Sequence, residues 1–291
     1  MSEQTKGLWA LIAACATWGV SGLFYKMLAA VPPLEILAHR TLWSLVFFGL
    51  VLLARGGLAD LGRALSSRWV GVVAIAAVVI SLNWFGFIWS VQNGHAMEAS
   101  LGYYIFPLVA VGLGVVFLRE RMTPSQALAV ALAAAAVLWL TWSVGRVPWI
   151  ALFLAGTFGI YGLVKKRLPL TSTVSVAAEV VLLAPLALGF LLAEHFGWGM
   201  AARPGAFGSG LQTTLMLMFS GVLTGLPLMM FSYATQRVRL STVGLVQYLN
   251  PTLQFAVALL AFGEPLTHAH AVAFPLIWAA LAIYSVASLR R

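Results

Sequence analysis

The chain has 291 residues, of which 62% are hydrophobic and only 9% charged, against roughly 45–50% and 25% in soluble domains. So few charges could not cover the surface of a water-soluble protein this size, so the chain is read against the bilayer, where each crossing helix needs about 20 apolar residues. The formal charge of +9 then bears on sidedness rather than on nucleic acid, and a single cysteine, Cys15, excludes a disulfide framework and a cysteine metal site.

Apolar runs between breaks predict ten helices, near residues 7–29, 34–54, 69–92, 97–118, 124–143, 147–165, 172–193, 212–235, 241–262 and 267–288. The first carries Trp18, Ser21 and Lys26. Its segment Ile12-Ala13-Ala14-Cys15 looks like a lipoprotein cleavage box, but the apolar stretch runs on to Phe24, so a retained helix is expected. The second begins with Glu35, His39 and Arg40. Glu35 and His39 are four apart and share a face, which predicts a local ion-pair network at one mouth or an entry point for substrate or protons. Asn83, Trp84 and Trp89 lie on the third, and Tyr103, Tyr104, Phe106 and Pro107 on the fourth.

Thr123-Pro124-Ser125-Gln126 reads as an N-cap, a proline at the first helical position and a capping-box glutamine, so helix five starts there. Tyr161 falls on helix six, and Glu179 lies two turns into helix seven as the acid most deeply placed in the membrane. Glu179 is a candidate for proton coupling or for pairing with a neighbouring polar group. Helix eight carries Gly221 and Gly225, a GxxxG pattern for close packing, together with Pro227 and Tyr233. Helix nine carries Gln247, Tyr248, Asn250, Pro251 and Gln254. Glu120 and Glu264 end helices four and nine and read as structural clamps. His268 and His270 diverge on a helix, so no metal site is expected. The longest connections are 54–69 and the Gly-rich 194–211.

Charge sets the expected orientation. Thirteen of the 17 Lys and Arg fall in segments on one side if the N-terminus is inside, with Arg146 and Arg203 opposite and Lys26 and Arg40 in or near spans. Both termini are therefore expected in the cytoplasm, with Lys26 near the outer face and Lys166 near the inner one.

Two segments recur. Thr17-Trp18-Gly19-Val20-Ser21-Gly22-Leu23-Phe24-Tyr25-Lys26 matches the stretch Thr157 to Lys166 at Thr, both Gly, Leu and the final Lys, 140 residues on. At an offset of 144 the matches are Leu82/Leu226, Gln92/Gln236, Leu101/Leu245, Tyr104/Tyr248, Pro107/Pro251, Glu120/Glu264 and Thr123/Thr267. Two five-helix halves, 1–144 and 145–291, are implied. Since five is odd, they are inverted about an axis in the membrane plane, the arrangement that underlies alternating access. The glycine pairs read as close-packing points, and Pro107 and Pro251 as helix-interior prolines that kink or hinge. Ser21 against Tyr161 and Phe106 against Asn250 are where the repeats differ.

Polar side chains at mid-membrane depth point by default to a cavity. The candidate substrate-binding set is Trp18, Ser21, Asn83, Trp84, Trp89, Tyr103, Phe106, Tyr161, Tyr233, Gln247 and Asn250. The candidate gating or coupling set is Lys26, Glu35, His39, Arg40, Pro107, Glu179 and Pro251.

These residues resemble the RarD family of EamA-type permeases, in the drug/metabolite transporter superfamily. The resemblance rests on His39-Arg40-Thr41-Leu42-Trp43-Ser44, Asn83-Trp84 with Ile88-Trp89, Ser100-Leu101-Gly102-Tyr103-Tyr104, Gln247-Tyr248 with Pro251-Thr252, and Gly263-Glu264-Pro265 with Ile277-Trp278. It implies a ten-helix permease of the bacterial inner membrane with a central cavity formed largely by helices one, three, four, six, eight and nine. Phe106 and Asn250 depart from the family pattern.

The expected function is a secondary transporter that moves a small metabolite, an amino acid or amphiphilic, drug-like compound, by alternating access, with export favoured by the resemblance. The expected partners are a small-molecule substrate, the lipid bilayer and protons, with no cofactor, metal or nucleic acid. A passive channel or non-transporting scaffold is the alternative. A membrane-embedded enzyme ranks below both, because HExxH, GxSxG and phosphate-loop motifs are missing.

Overall fold

A computed structural model describes residues 2–119, 123–165, 168–198, 205–235, 237–238 and 246–289. Glu120, Lys166, Gln236 and Leu245, named above, lie outside the described residues, as do Arg121, Arg167, Arg203, Arg239, Arg290 and Arg291. Among the described residues the chain is all helical: α1 Glu3–Met27, α2 Pro33–Ala54, α3 Leu58–Leu65, α4 Val70–Gln92, α5 Ala96–Leu118, α6 Pro124–Val144, α7 Trp149–Lys165, α8 Ser172–His195, α9 Leu211–Thr235, α10 Leu249–Ala256 and α11 His268–Leu289.

Local chemistry sets the boundaries. Ser2 is extended and its hydroxyl accepts from the Thr5 N–H, so α1 begins earlier than the apolar run alone suggests. Thr123 and Gln126 form the expected reciprocal capping box at the start of α6.

Among the described residues seven helices are long and apolar enough to cross a membrane, whereas the sequence predicts ten. Three further apolar helices are shorter: α7, Leu249–Ala261 and His268–Tyr284. Leu249–Ala261 is irregular at both ends, and residues 239–245 before it lie outside the described residues. Its helix starts only after a turn at Tyr248, and its last residues, Val257–Ala261, widen into a π-helix. Pro251 therefore sits in the first turn of α10, not in a helix interior, where its missing N–H removes no intrahelical bond. Pro107 does lie inside α5, and Pro185 lies inside α8 without having been singled out. The connection 54–69 holds α3, an eight-residue amphipathic helix too short to register as an apolar run, which packs on α8.

The packing pairs have a regular form. α1 packs on α9 and α10, while α7 packs on α4 and α5. α2 packs on α9, and α8 on α4. α2 also packs on α8, α5 on α10 and α6 on α11. Gly19 and Gly159 serve equivalent close approaches: a Cβ on Gly19 would lie 2.6 Å from Leu253 Cβ of α10, and one on Gly159 would lie 2.9 Å from Leu113 Cδ1 of α5. Gly22 is buried, but Gly162 is not a packing point: it is exposed and a Cβ there would meet nothing within 4 Å.

The two ends of the bundle are tied differently. At the end carrying Glu3, Arg63 and Lys165, here the basic end, Arg237 Nε meets Glu3 Oε2 at 3.0 Å. At the distal end, Gln92 Nε2 donates to the carbonyls of Leu28 and Val31 at 2.8 and 3.0 Å. The Glu264 carboxylate accepts from the backbone N–H groups of Ala96 and Met97, both at 2.7 Å, so it caps the positive N-terminus of α5. Glu98 likewise accepts from Ile150 N at the start of α7.

Candidate functional site

Asn83 is the polar hub of the interior. It is 1% exposed, and its Nδ2 donates to Leu154 O and Thr157 Oγ1 of α7, both at 2.9 Å, while its Oδ1 accepts from the Tyr103 hydroxyl of α5 at 2.8 Å. An amide can do this because it carries donors and an acceptor on one short side chain. Three helices, α4, α5 and α7, are thereby held in register.

Aromatic rings extend from this hub in both directions. Toward the distal end, the Tyr103 ring meets Phe87 edge-on at 5.8 Å, and Phe87 meets Tyr25 of α1 at 6.0 Å. The Tyr25 hydroxyl then accepts from Arg40 Nη1 of α2 at 2.7 Å, and the Arg40 guanidinium lies 4.1 Å from the centroid of Trp84. Toward the basic end, Tyr103 meets Phe158 at 5.9 Å, Phe106 meets Phe158 at 4.7 Å, and Phe158 stacks on Tyr161 at 6.1 Å.

The Tyr161 hydroxyl donates to Glu179 Oε2 at 3.1 Å, and Lys165 Nζ meets Glu179 Oε1 at 2.6 Å. Lys165 also donates to the Ser175 hydroxyl, which reaches Glu179 Oε1 at 3.2 Å. Glu179 is 1% exposed. A carboxylate at that depth is held by the ammonium and two hydroxyls, and without them its desolvation would go uncompensated.

A line of rings thus runs from a buried cation, Arg40, to a buried ion pair, Lys165 with Glu179. Asn83, Trp84, Tyr103, Phe106, Tyr161, Arg40 and Glu179 from the expected sets fall on it. The others stand apart. Trp18 packs on Phe231 of α9, and Ser21 bonds back to the Trp18 carbonyl. Trp89 lies at the end of α4 between His95 and Trp149. Tyr233 is at the basic end, under Arg237 and near Glu3. Gln247 is exposed, and the Asn250 side chain accepts from Gln254. Lys26 is exposed and lies over the ring of Phe262. Pro107 and Pro251 make no polar contact of their own, and only Pro107 is a helix-interior proline.

The expected ion-pair network of Glu35, His39 and Arg40 is not what forms. Among the described residues none of the three makes an ion pair. Glu35 Oε1 accepts instead from Ala206 N at 2.5 Å, and His39 stacks on Phe207 at 4.8 Å. Ala206 and Phe207 lie against α2 and compete for these side chains, and nothing in a helix-periodicity argument foresees it.

Lys165, Ser175, Thr157, Phe158, Phe87 and Tyr25 belong to the line but were not singled out. Lys165 was counted only as a cation of the basic end. A signal is present in the sequence: Tyr25 and Lys165 are 140 residues apart, as are His39 and Glu179, the spacing of the recurring segment.

Comparison with known proteins decides the family. The profile of the EamA-like transporter family matches residues 5–142. "Protein RarD" of Streptomyces exfoliatus is 43% identical over 99% of this chain and 91% of its own length. The chain belongs to the RarD family of EamA-type permeases. Another relative, "Uncharacterized transporter YojE" of Bacillus subtilis (strain 168), is 38% identical over 99% of this chain and 96% of its own length. "Protein RarD" of Escherichia coli (strain K12) is 38% identical over 97% and 95%. A solved crystal structure, 20% identical, superposes over 99% of this chain and all of its own with a TM-score of 0.63, which bears on the fold alone. The RarD-family chain is thus a multi-pass membrane protein of a transporter family.

Proposed function

We propose that the chain is a secondary transporter of a small metabolite, an amino acid or amphiphilic compound, working by alternating access in a bacterial inner membrane with both termini in the cytoplasm. The single observation that carries this reading is the line of rings between Arg40 and the Lys165–Glu179 pair, because polar groups this deep in a bilayer protein are costly and mark solute paths. Export and proton coupling belong to the same proposal. Relatives that carry transporter names support the class.

Two inverted halves, 1–144 and 145–291, supply the motion. In this reading ten helices form the halves, with α3 lying outside the count. The packing pairs named above map onto themselves when α1, α2, α4, α5 and α6 are exchanged for α7, α8, α9, α10 and α11. That self-mapping favours a pseudo-two-fold pair of halves, each able to take the other's conformation. Distal latches at Gln92 and Glu264 and the basic-end pair of Arg237 with Glu3 are then the contacts that break alternately. Glu179 with Lys165 is the coupling element of the basic half.

The experiment is transport by the purified protein in liposomes, with a broad metabolite panel, with and without a proton gradient. Movement of at least one solute supports the reading, and movement of none contradicts it. In the same assay Glu179→Gln should abolish the response to the gradient; transport with its pH dependence intact would remove Glu179 from coupling.

A further inference from the structure

Arg40 is 7% exposed, lies about 10 Å below the start of α2, and has no carboxylate partner among the described residues. Its neighbours are neutral: the Tyr25 hydroxyl, which accepts from Nη1, and the Trp84 ring. Arg40 Nε is buried with no hydrogen-bond partner. Among the described residues the other buried charge with an unpartnered atom is Glu194, an acid, so Arg40 is the buried cation without a carboxylate. Glu179 has Lys165, and Glu35 has a backbone N–H.

A buried guanidinium without a counter-ion is expensive, and removing one partner of a buried pair typically costs several kcal/mol. Cation–π contact with Trp84 offsets part of that cost but covers a face of the guanidinium, leaving the in-plane N–H of Nε, the one buried without a partner, to bond a ligand. We infer that Arg40 is the anion site of the transport path and takes the carboxylate of a singly charged organic acid or amino acid, with Trp84 and Tyr25 as its walls. This rests on the transporter reading and narrows its substrate class.

Geometry and charge favour a carboxylate over a phosphate. The planar fork of Arg matches two carboxylate oxygens, and Tyr25, which accepts from Arg40, still has its own O–H to donate. A phosphate dianion would bring two charges to a site whose only cation among the described residues is Arg40, leaving one uncompensated in a low-dielectric interior. Phe87, which touches Tyr25 and Tyr103, places the rest of the solute along the rings toward Asn83.

The test measures binding rather than transport. Full-length protein in detergent is heated with matched probes: indole-3-acetate against indole-3-acetamide, and phenylalanine against phenylalaninamide. At least one carboxylate should raise the unfolding temperature, with an apparent affinity at least about tenfold tighter than its amide. Arg40→Gln should remove that difference, and Arg40→Lys should keep part of it. The assignment is overturned if amides act as well as carboxylates on the wild-type protein, equal inactivity included, or if Arg40→Gln keeps the preference. The wild-type comparison stands even if a variant fails to fold. Failure of the transporter reading would look different: no solute of any charge would move in liposomes, whatever the binding preference.

Discussion

Glu179 and Lys165 offer the sharpest test of the interior by substitution. Glu179 is 1% exposed and the Lys165 side chain 21%, so solvent does little to screen the pair. Replacing Glu179 with Leu leaves the ammonium with only hydroxyl partners, and replacing Lys165 with Leu leaves the carboxylate with Tyr161 and Ser175. Breaking a buried pair from one side costs about 3–5 kcal/mol, whereas removing both charges together is often close to neutral. Each single variant should therefore lower stability by about 3 kcal/mol or more, and the double variant should lie well above the sum, with a coupling of about 2 kcal/mol. Equilibrium unfolding in mixed micelles measures all four corners of the cycle. Additive losses, or a double variant less stable than either single one, would refute the pairing.

Four other substitutions probe packing, capping and the interior hub. Gly221→Ala places a Cβ 2.6 Å from Ser44 N, against the backbone of α2, and should cost about 1–3 kcal/mol in the same unfolding measurement. Gly162→Ala meets nothing within 4 Å and should be neutral or stabilising by up to about 1 kcal/mol, so opposite signs are expected from one chemical change. Glu264→Ala strips two charge-assisted bonds from the N-terminus of α5 and should lower stability by about 1–2 kcal/mol, with faster hydrogen exchange at Ala96 and Met97. Asn83→Ala leaves the Tyr103 hydroxyl without its acceptor and removes the bonds from Asn83 to Leu154 O and Thr157 Oγ1, and should cost about 2 kcal/mol or more.

Much of the architecture is legible in the sequence because it follows from local chemistry. Apolar runs locate most of the helices to within a few residues, the one expected at 241–262 and the short α3 excepted, and Thr123 with Gln126 marks a helix start by side-chain reach alone. The repeated Gly19 and Gly159 anticipate two close helix approaches, since only a residue without a Cβ admits them. What stays hidden depends on which helices meet. Lys165 reaches Glu179 across a turn and onto a second helix, a contact no periodicity encodes. Phe207 stacks on His39 and Ala206 N donates to Glu35, so Glu35 and His39 find partners far along the chain rather than each other. Pro251 reads as helix-interior until the turn at Tyr248 resets the helix start. Gly162 repeats Gly22 yet faces outward, because equal spacing does not guarantee an equal neighbour.

Counterflow tests the central claim most directly. Liposomes containing the protein are preloaded with a solute that moves in the panel, and uptake of the same solute in labelled form is followed from a dilute external pool. A carrier that alternates between its two faces predicts saturable uptake that internal solute accelerates, with transient accumulation of label above the outside concentration. Uptake that is linear in concentration and indifferent to internal solute would contradict alternating access and assign the path through the rings to a channel.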